Sequence, residues 1–174
     1  MMGLIHIYEG DGKGKTTTAI GLSIRCAGSG GRVLFSQFLK DDSSSEKNIL
    51  MKLENIEYRA VPENFGFVFQ MTPEAKQRAK EAYNGLLISV IEAVSQGDYR
   101  MLILDEIIDA YHTDLIDQPL LLDFLKDKPE QLEVIMTGRD ADELLLEQAH
   151  YVSDIRKVKH PYDCGIPARI GIEK

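Results

Sequence analysis

Short apolar runs and longer amphipathic stretches alternate along the whole chain. Residues 4–8 (LIHIY), 32–38, 56–61, 101–105, 132–136 and 152–158 have strand length and stop at polar or glycine-rich junctions. Between them, residues 16–25, 47–53, 74–95, 118–126 and 141–149 place apolar side chains at helical spacing. In the longest of these, Ala75, Ala79, Ala82, Leu86, Val90 and Val94 fall on one stripe, with Pro73 suited to the first turn and Thr72 to its cap. Regular alternation of strand and helix marks a parallel sheet with crossover helices. Residues 40–46 (KDDSSSE) lack periodicity and read as a mobile loop. Nothing repeats and no second domain is evident, so residues 1–174 are expected to form one domain.

The first strand-to-helix junction adds chemistry to this pattern. Tyr8 to Thr17 reads YEGDGKGKTT, a glycine-rich loop placed to cradle phosphate. Gly10, Gly12 and Gly14 let the backbone curl, Lys15 adds a mobile positive charge and Thr16 offers a hydroxyl to magnesium. Asp11, Lys13 and Thr17 complete the candidate nucleotide-binding set. The common pattern G-x-x-x-x-G-K-[ST] needs glycine at position 9, where this chain has Glu9. With strand and helix in place, the loop specifies a three-layer α/β fold of the P-loop NTPase (RecA-like) type, with a mostly parallel central sheet and ATP as ligand.

Two further strand ends could join the loop. Residues 101–106 (MLILDE) deliver Asp105 and Glu106 at a C-terminal strand end, where ligands of open α/β sheets sit. Either the pair is a solvated strand end or, with Thr16, it holds Mg2+ directly or through water. Thr137-Gly138-Arg139 ends the next strand. Its guanidinium could reach phosphate, or could pair on the surface with Asp140 or Asp142. Phe65, Phe67 and Phe69 lie between Pro62 and Pro73. If extended, Phe67 and Phe69 share a side, either plugging the core or forming an aromatic lid over a flat ligand.

Composition narrows the classes. The net charge of −8 argues against a nucleic-acid surface, and 44% hydrophobic with 28% charged residues is typical of a globular domain. No apolar run approaches the roughly 20 residues of a membrane span. The beginning of the chain lacks a signal-peptide pattern, and two cysteines, Cys26 and Cys164, suggest free thiols in a reducing compartment, so the expected location is cytoplasmic. Four histidines have no metal spacing, and His6 reads as a packing residue. No serine or cysteine sits in a hydrolase elbow.

The loop GDGKGKTT, Gln37-Phe38-Leu39-Lys40, Leu104-Asp105-Glu106, Thr137-Gly138-Arg139 and the tail VKHPYDCGIPARIGIE follow one another in an order that resembles the P-loop ATP:cob(I)alamin (corrinoid) adenosyltransferases. The resemblance runs from about Leu4 to Glu173. It implies attack by Co(I) of a reduced corrinoid, cobalamin or cobyrinic acid a,c-diamide, on the ribose 5′ carbon of ATP, with triphosphate leaving whole. It also implies ATP held end-for-end relative to other P-loop enzymes. Lys13, Lys15, Thr16, Thr17, magnesium and Arg139 would then neutralise the leaving group. Gly66-Phe67-Val68-Phe69 resembles a segment whose aromatics displace the corrinoid's lower ligand, easing reduction to Co(I). On this likeness the catalytic set is Lys15, Thr16, Glu106, Phe67 and Phe69, the protein is a homodimer and a flavoprotein donates electrons.

The chain also departs from the family pattern. Phe69 stands where tryptophan is usual, Gln70 where glutamate is expected and Glu9 where threonine is more usual. The family's N-terminal helix and C-terminal aromatic are not in the sequence. Two other functions remain open on the residues alone. One is an ordinary P-loop phosphatase or kinase, with Glu106 positioning water or an acceptor hydroxyl; the other is a non-catalytic ATP or corrinoid carrier or regulator.

Overall fold

In the computed structural model, which describes residues 2–40 and 44–173, six strands form one sheet. They are β1 (Ile5–Glu9), β2 (Val33–Gln37), β3 (Ile56–Ala60), β4 (Met101–Asp105), β5 (Glu133–Thr137) and β6 (Tyr151–Asp154). Their spatial order is β3-β2-β4-β5-β1-β6, and every neighbouring pair is parallel. The helices are α1 (Lys15–Gly28), α2 (Lys47–Leu50), α3 (Pro73–Gln96), α4 (Ile107–His112), α5 (Gln118–Asp127) and α6 (Glu143–Gln148).

The central strands β4 and β5 are apolar through Met101–Leu104 and Val134–Met136 because both of their faces are covered. Leu34, Leu102, Leu104, Val134 and Met136 point to one side, where they join Tyr83, Leu87 and Val90 of α3 and the apolar residues of α4 and α5. Val33, Phe35, Met101, Ile103 and Ile135 point to the other, against Ala19 and Cys26 of α1 and Leu50 of α2. Each fully buried Leu, Ile or Phe contributes about 1.5–3 kcal/mol, so these two layers carry most of the stability. Within the expected α3 stripe Ala79, Leu86, Val90 and Val94 are buried, joined by Tyr83 and Leu87.

Three caps fix helix starts. Thr72 accepts from the Ala75 N–H at 3.2 Å, Asp117 from Leu120 at 3.0 Å and Asp142 from Leu145 at 3.0 Å, each contributing about 1 kcal/mol. The Asp142 cap starts α6 two residues later than the spacing predicts. The last strand is also shorter than residues 152–158. Its partner β1 ends at Glu9; the Ile155 N–H still donates to the Glu9 carbonyl at 2.8 Å, after which the glycine-rich loop meets the tail through isolated contacts, Gly12 N–H to the Ile155 carbonyl and Lys157 N–H to Asp11, and no ladder continues. Residues 51–53 continue α2 only as a turn. In the 40–46 loop, residues 41–43 lie outside the described residues.

Helix α4 is absent from the sequence expectation. Ile107-Ile108 prolong the apolar run of β4, and the switch occurs at Glu106, whose φ is +60°. That left-handed conformation costs a non-glycine residue about 1 kcal/mol. Thr137 helps hold it, its Oγ1 accepting from the Glu106 N–H at 2.9 Å.

Parallel register brings the strand ends to one edge. Gln37 aligns with Asp105, Tyr8 with Thr137 and Glu9 with Asp154. All the candidate chemistry of the strands therefore emerges on one side of the sheet.

Candidate functional site

The loop after β1 turns sharply because Ile155 crowds it. The Gly12 N–H donates to the Ile155 carbonyl at 2.7 Å, and a Cβ on Gly10 or Gly12 would lie 2.5 Å from that same oxygen. Glycine at these two positions thus answers to the chain's own tail as well as to any ligand. Lys15 folds back over the loop and donates to the carbonyls of Gly10 at 2.7 Å and Gly12 at 2.9 Å. Burial, then Arg139 nearby, lowers its pKa from the ordinary lysine value.

At the floor stands Asp105, fully buried at the end of β4. Its carboxylate accepts from Thr16 Oγ1 at 2.9 Å, Thr137 Oγ1 at 2.7 Å, Gln37 Nε2 at 3.0 Å and Lys40 Nζ at 3.1 Å. Gln37 is held in turn by the Tyr58 hydroxyl at 2.7 Å. A buried carboxylate needs such partners, because leaving one unpaired costs several kcal/mol. Beside it, burial pushes Glu106 up to about 7; Lys40 and Arg139 oppose this, while Asp105 and Asp109 add to it.

Around this floor opens a cleft of about 960 Å³. Asp11, Gly12, Lys13, Gly14, Lys15, Thr16 and Thr17 line it, with Glu106 and Arg139 across from them. Thr137 and Gly138 stand behind the wall. Thr137 is fully buried, its hydroxyl used by Asp105 and Glu106. Gly138 has φ of +153°, and a Cβ there would meet Asp109 Oδ2 and Ile108 Cβ at 2.6 Å. Among the described residues Arg139 forms no ion pair with Asp140 or Asp142. Its neighbour is instead Asp109 of α4, whose carboxylate accepts the Arg139 N–H and whose pKa burial raises despite that cation.

The rim is different in kind. Phe65 packs on Tyr83, but Phe67 and Phe69 are 68% and 81% exposed. Neither plugs the core. The backbone is not extended here; a 3-10 turn over Val68–Gln70 stacks the two rings at 5.5 Å. Opposite, Pro161, Tyr162, Ile166, Pro167, Ala168 and Ile172 of the tail form an apolar wall. The tail is pinned by the Lys157 N–H donating to Asp11 at 2.8 Å and by Lys13 and Glu173, 3.9 Å apart.

Sequence reasoning missed several of these groups. Gln37, Lys40 and Glu46 meet at the floor, Gln37 donating to Glu46 at 3.0 Å. Asp109 supports Arg139 from a helix that the apolar pattern concealed. Glu9 turns away from the cleft wall, and its carboxylate accepts the Ala141 N–H at 2.8 Å. It ties β1 to the loop after β5 and adds no charge to the cleft lining. His6 is bound to Glu133 at 2.6 Å, a half-buried polar contact where simple packing was expected.

A sheet with one functional edge, a glycine-lysine-threonine loop and a buried acid beneath it define an α/β protein of P-loop NTPase-like fold. The solved structure of Thermomonospora curvata EccC (ATPases 2 and 3) in complex with a signal sequence peptide shares that fold, with a TM-score of 0.54 at 12% identity over 95% of this chain and 34% of that one. More specifically, residues 1–173 match the family described as ATP:corrinoid adenosyltransferase BtuR/CobO/CobP. The corrinoid adenosyltransferase of Escherichia coli K12 is 30% identical over 171 residues, covering 98% of this chain and 85% of that protein. Corrinoid adenosyltransferase CobA of Salmonella typhimurium is 30% identical over 179 residues, with the same shares. The chain belongs to the ATP:corrinoid adenosyltransferase family, enzymes that move the adenosyl group of ATP to a corrinoid. Phosphoryl transfer is not favoured. No helix among the described residues is long and apolar enough to cross a membrane.

Proposed function

We propose that this protein joins the 5′-deoxyadenosyl group of ATP to the Co(I) of cobalamin or cobyrinic acid a,c-diamide and releases triphosphate. The observation that carries this reading is the division of the cleft into a charged floor and an apolar, aromatic rim. The cobalt electron pair forms the new bond to C5′, and the C5′–O bond breaks with its electrons leaving on triphosphate. No proton has to move, so no general base is required. Lys13, Lys15, Thr17 and Arg139 would face the negative charge that grows on the leaving group.

Magnesium fits the floor. Asp105 and the Thr16 hydroxyl are hard oxygen donors at hydrogen-bond distance from one another. Among the described residues no three acids, histidines or cysteines form a group that could hold a metal ion by itself, so triphosphate and water would have to complete the shell. Thr16, Asp105 and, through water, Glu106 would hold it, and its charge would stabilise the leaving triphosphate.

Phe67 and Phe69 are read as the surface that meets the corrinoid ring and displaces its lower ligand. Two exposed, stacked aromatics beside the cleft support that role. The whole chain acts as one catalytic domain, as a cytoplasmic homodimer taking electrons from a flavoprotein, on the strength of the family likeness. A product assay tests the chemistry. With Mg-ATP and chemically reduced corrinoid, the cobalt–carbon absorbance change should be matched by equimolar triphosphate. ADP with phosphate, or a flat trace, contradicts the reading.

A further inference from the structure

The Lys40 ammonium lies against the two groups that the proposed function gives to magnesium. Its Nζ is 3.1 Å from both Thr16 Oγ1 and Asp105 Oδ2, 3.5 Å from Glu46 Oε1 and 3.9 Å from Glu106 Oε1. The side chain is three-quarters buried, and it comes from the end of β2, where Leu39 turns through a φ of +53°. Burial alone would weaken its charge. Asp105, Glu106 and Glu46 outweigh that and hold the Lys40 pKa above the ordinary lysine value.

Three carboxylates around one cation have a simple electrostatic logic. Without a cation, Asp105, Glu106 and Glu46 would repel one another in a half-buried space. A divalent ion bound to Asp105 and Thr16 would meet the Lys40 ammonium at contact distance, and both cannot stay. Glu46 provides a second resting place at the cleft wall, still within reach of an incoming phosphate chain.

We propose that Lys40 is a resident stand-in for magnesium: while the cleft is empty it neutralises Asp105 and donates to the Thr16 hydroxyl, then yields both groups to the metal and moves its charge onto the triphosphate. It thereby becomes a phosphate-binding residue alongside Lys15 and Arg139. This rests on the assignment of Thr16 and Asp105 as magnesium partners.

The test uses Mn2+ as the metal probe, read by electron paramagnetic resonance on the nucleotide-free protein. Removing a competing, charge-assisted contact should let Lys40→Met bind Mn2+ about tenfold more tightly than wild type. Lys13→Met removes an equal charge from the same cleft without touching Asp105, and should change the affinity by less than about threefold. At saturating Mg2+, ATP should bind Lys40→Met about tenfold more weakly than wild type, and Lys40→Arg should recover most of that loss. In wild-type protein, acetylation of Lys40 followed by peptide mass spectrometry should accelerate when Mg2+ is added and slow again with Mg-ATP. Equal Mn2+ affinity in wild type and Lys40→Met, or a Mg2+-independent acetylation rate, overturns the stand-in role while leaving the magnesium assignment intact. If Asp105→Asn binds Mn-ATP like wild type, the magnesium assignment itself fails, and this inference with it.

Discussion

The floor and the rim of the cleft are built by opposite means. At the floor, Asp105 is fully buried and four side chains converge on it, Gln37 from β2, Thr137 from β5, Lys40 from just beyond β2 and Thr16 from the first turn of α1. At the rim, Phe67 and Phe69 touch each other and are otherwise mostly exposed. The floor is thus part of the fold, since its hydrogen bonds close the sheet edge. The rim adds little to the fold and is free to meet a second substrate. Removing the Asp105 carboxylate at the floor should harm stability and chemistry together, whereas substitutions at the rim should harm only chemistry.

The largest expected effect is at the loop. Lys15→Ala should lower adenosyl transfer by about a thousandfold or more, whether the cobalt is supplied as Co(I) or as Co(II) with a reductant. Full activity would remove the loop from the mechanism. Asp105→Ala comes next. It strands Lys40, Gln37 and Thr137 without their common partner and should cost about 3 kcal/mol in a denaturant titration. A loss below about 0.5 kcal/mol would mean that the floor is not structural.

Rim substitution sharpens the contrast. Phe69→Ala should reduce turnover from Co(II) about tenfold while changing the reaction of pre-formed Co(I) less than about twofold, because only the first needs ligand displacement. Its unfolding free energy should stay within about 0.5 kcal/mol of wild type. Equal losses in both assays would break the assigned role.

The smallest effect is a pH dependence of stability. Folding raises Glu106 from the usual carboxylate value to about 7, so the folded state binds more protons than the unfolded one between about 4.5 and 7. Stability from this group is present at low pH and falls as pH rises through that window. Because a third of the side chain is exposed, solvent screening keeps the change to about 1 kcal/mol. Glu106→Gln should flatten that part of the stability profile and be relatively more stable than wild type at pH 8. An unchanged slope would show that the floor's acids do not repel in this way.

Much of the fold is written in local pattern. Leu102 and Ile103 are apolar because each faces a different covered side, and Thr72 precedes the helix that it caps. Local pattern fails where a partner is remote. Lys40 is separated from Asp105 by 65 positions, and Glu9 from Ala141 by 132. Nothing near Glu9 indicates that its carboxylate will serve a backbone N–H beyond β5. Helix α4 escaped for a different reason, since its first two isoleucines complete a buried strand's apolar run and its start uses a left-handed glutamate in place of a cap. Phe67 and Phe69 show the limit of composition: the same residues suit a core plug or a lid, and only their exposure separates the two.

Which bond of ATP breaks can be read directly from an isotope at the bridging oxygen. ATP carrying 18O between C5′ and the α-phosphorus, incubated with Mg2+ and Co(I) corrinoid, should yield triphosphate containing the label and an adenosyl product without it. Label retained on the nucleoside, or recovered in ADP, would place the cleavage at a phosphorus–oxygen bond and contradict the assignment of the loop as a grip on the leaving group.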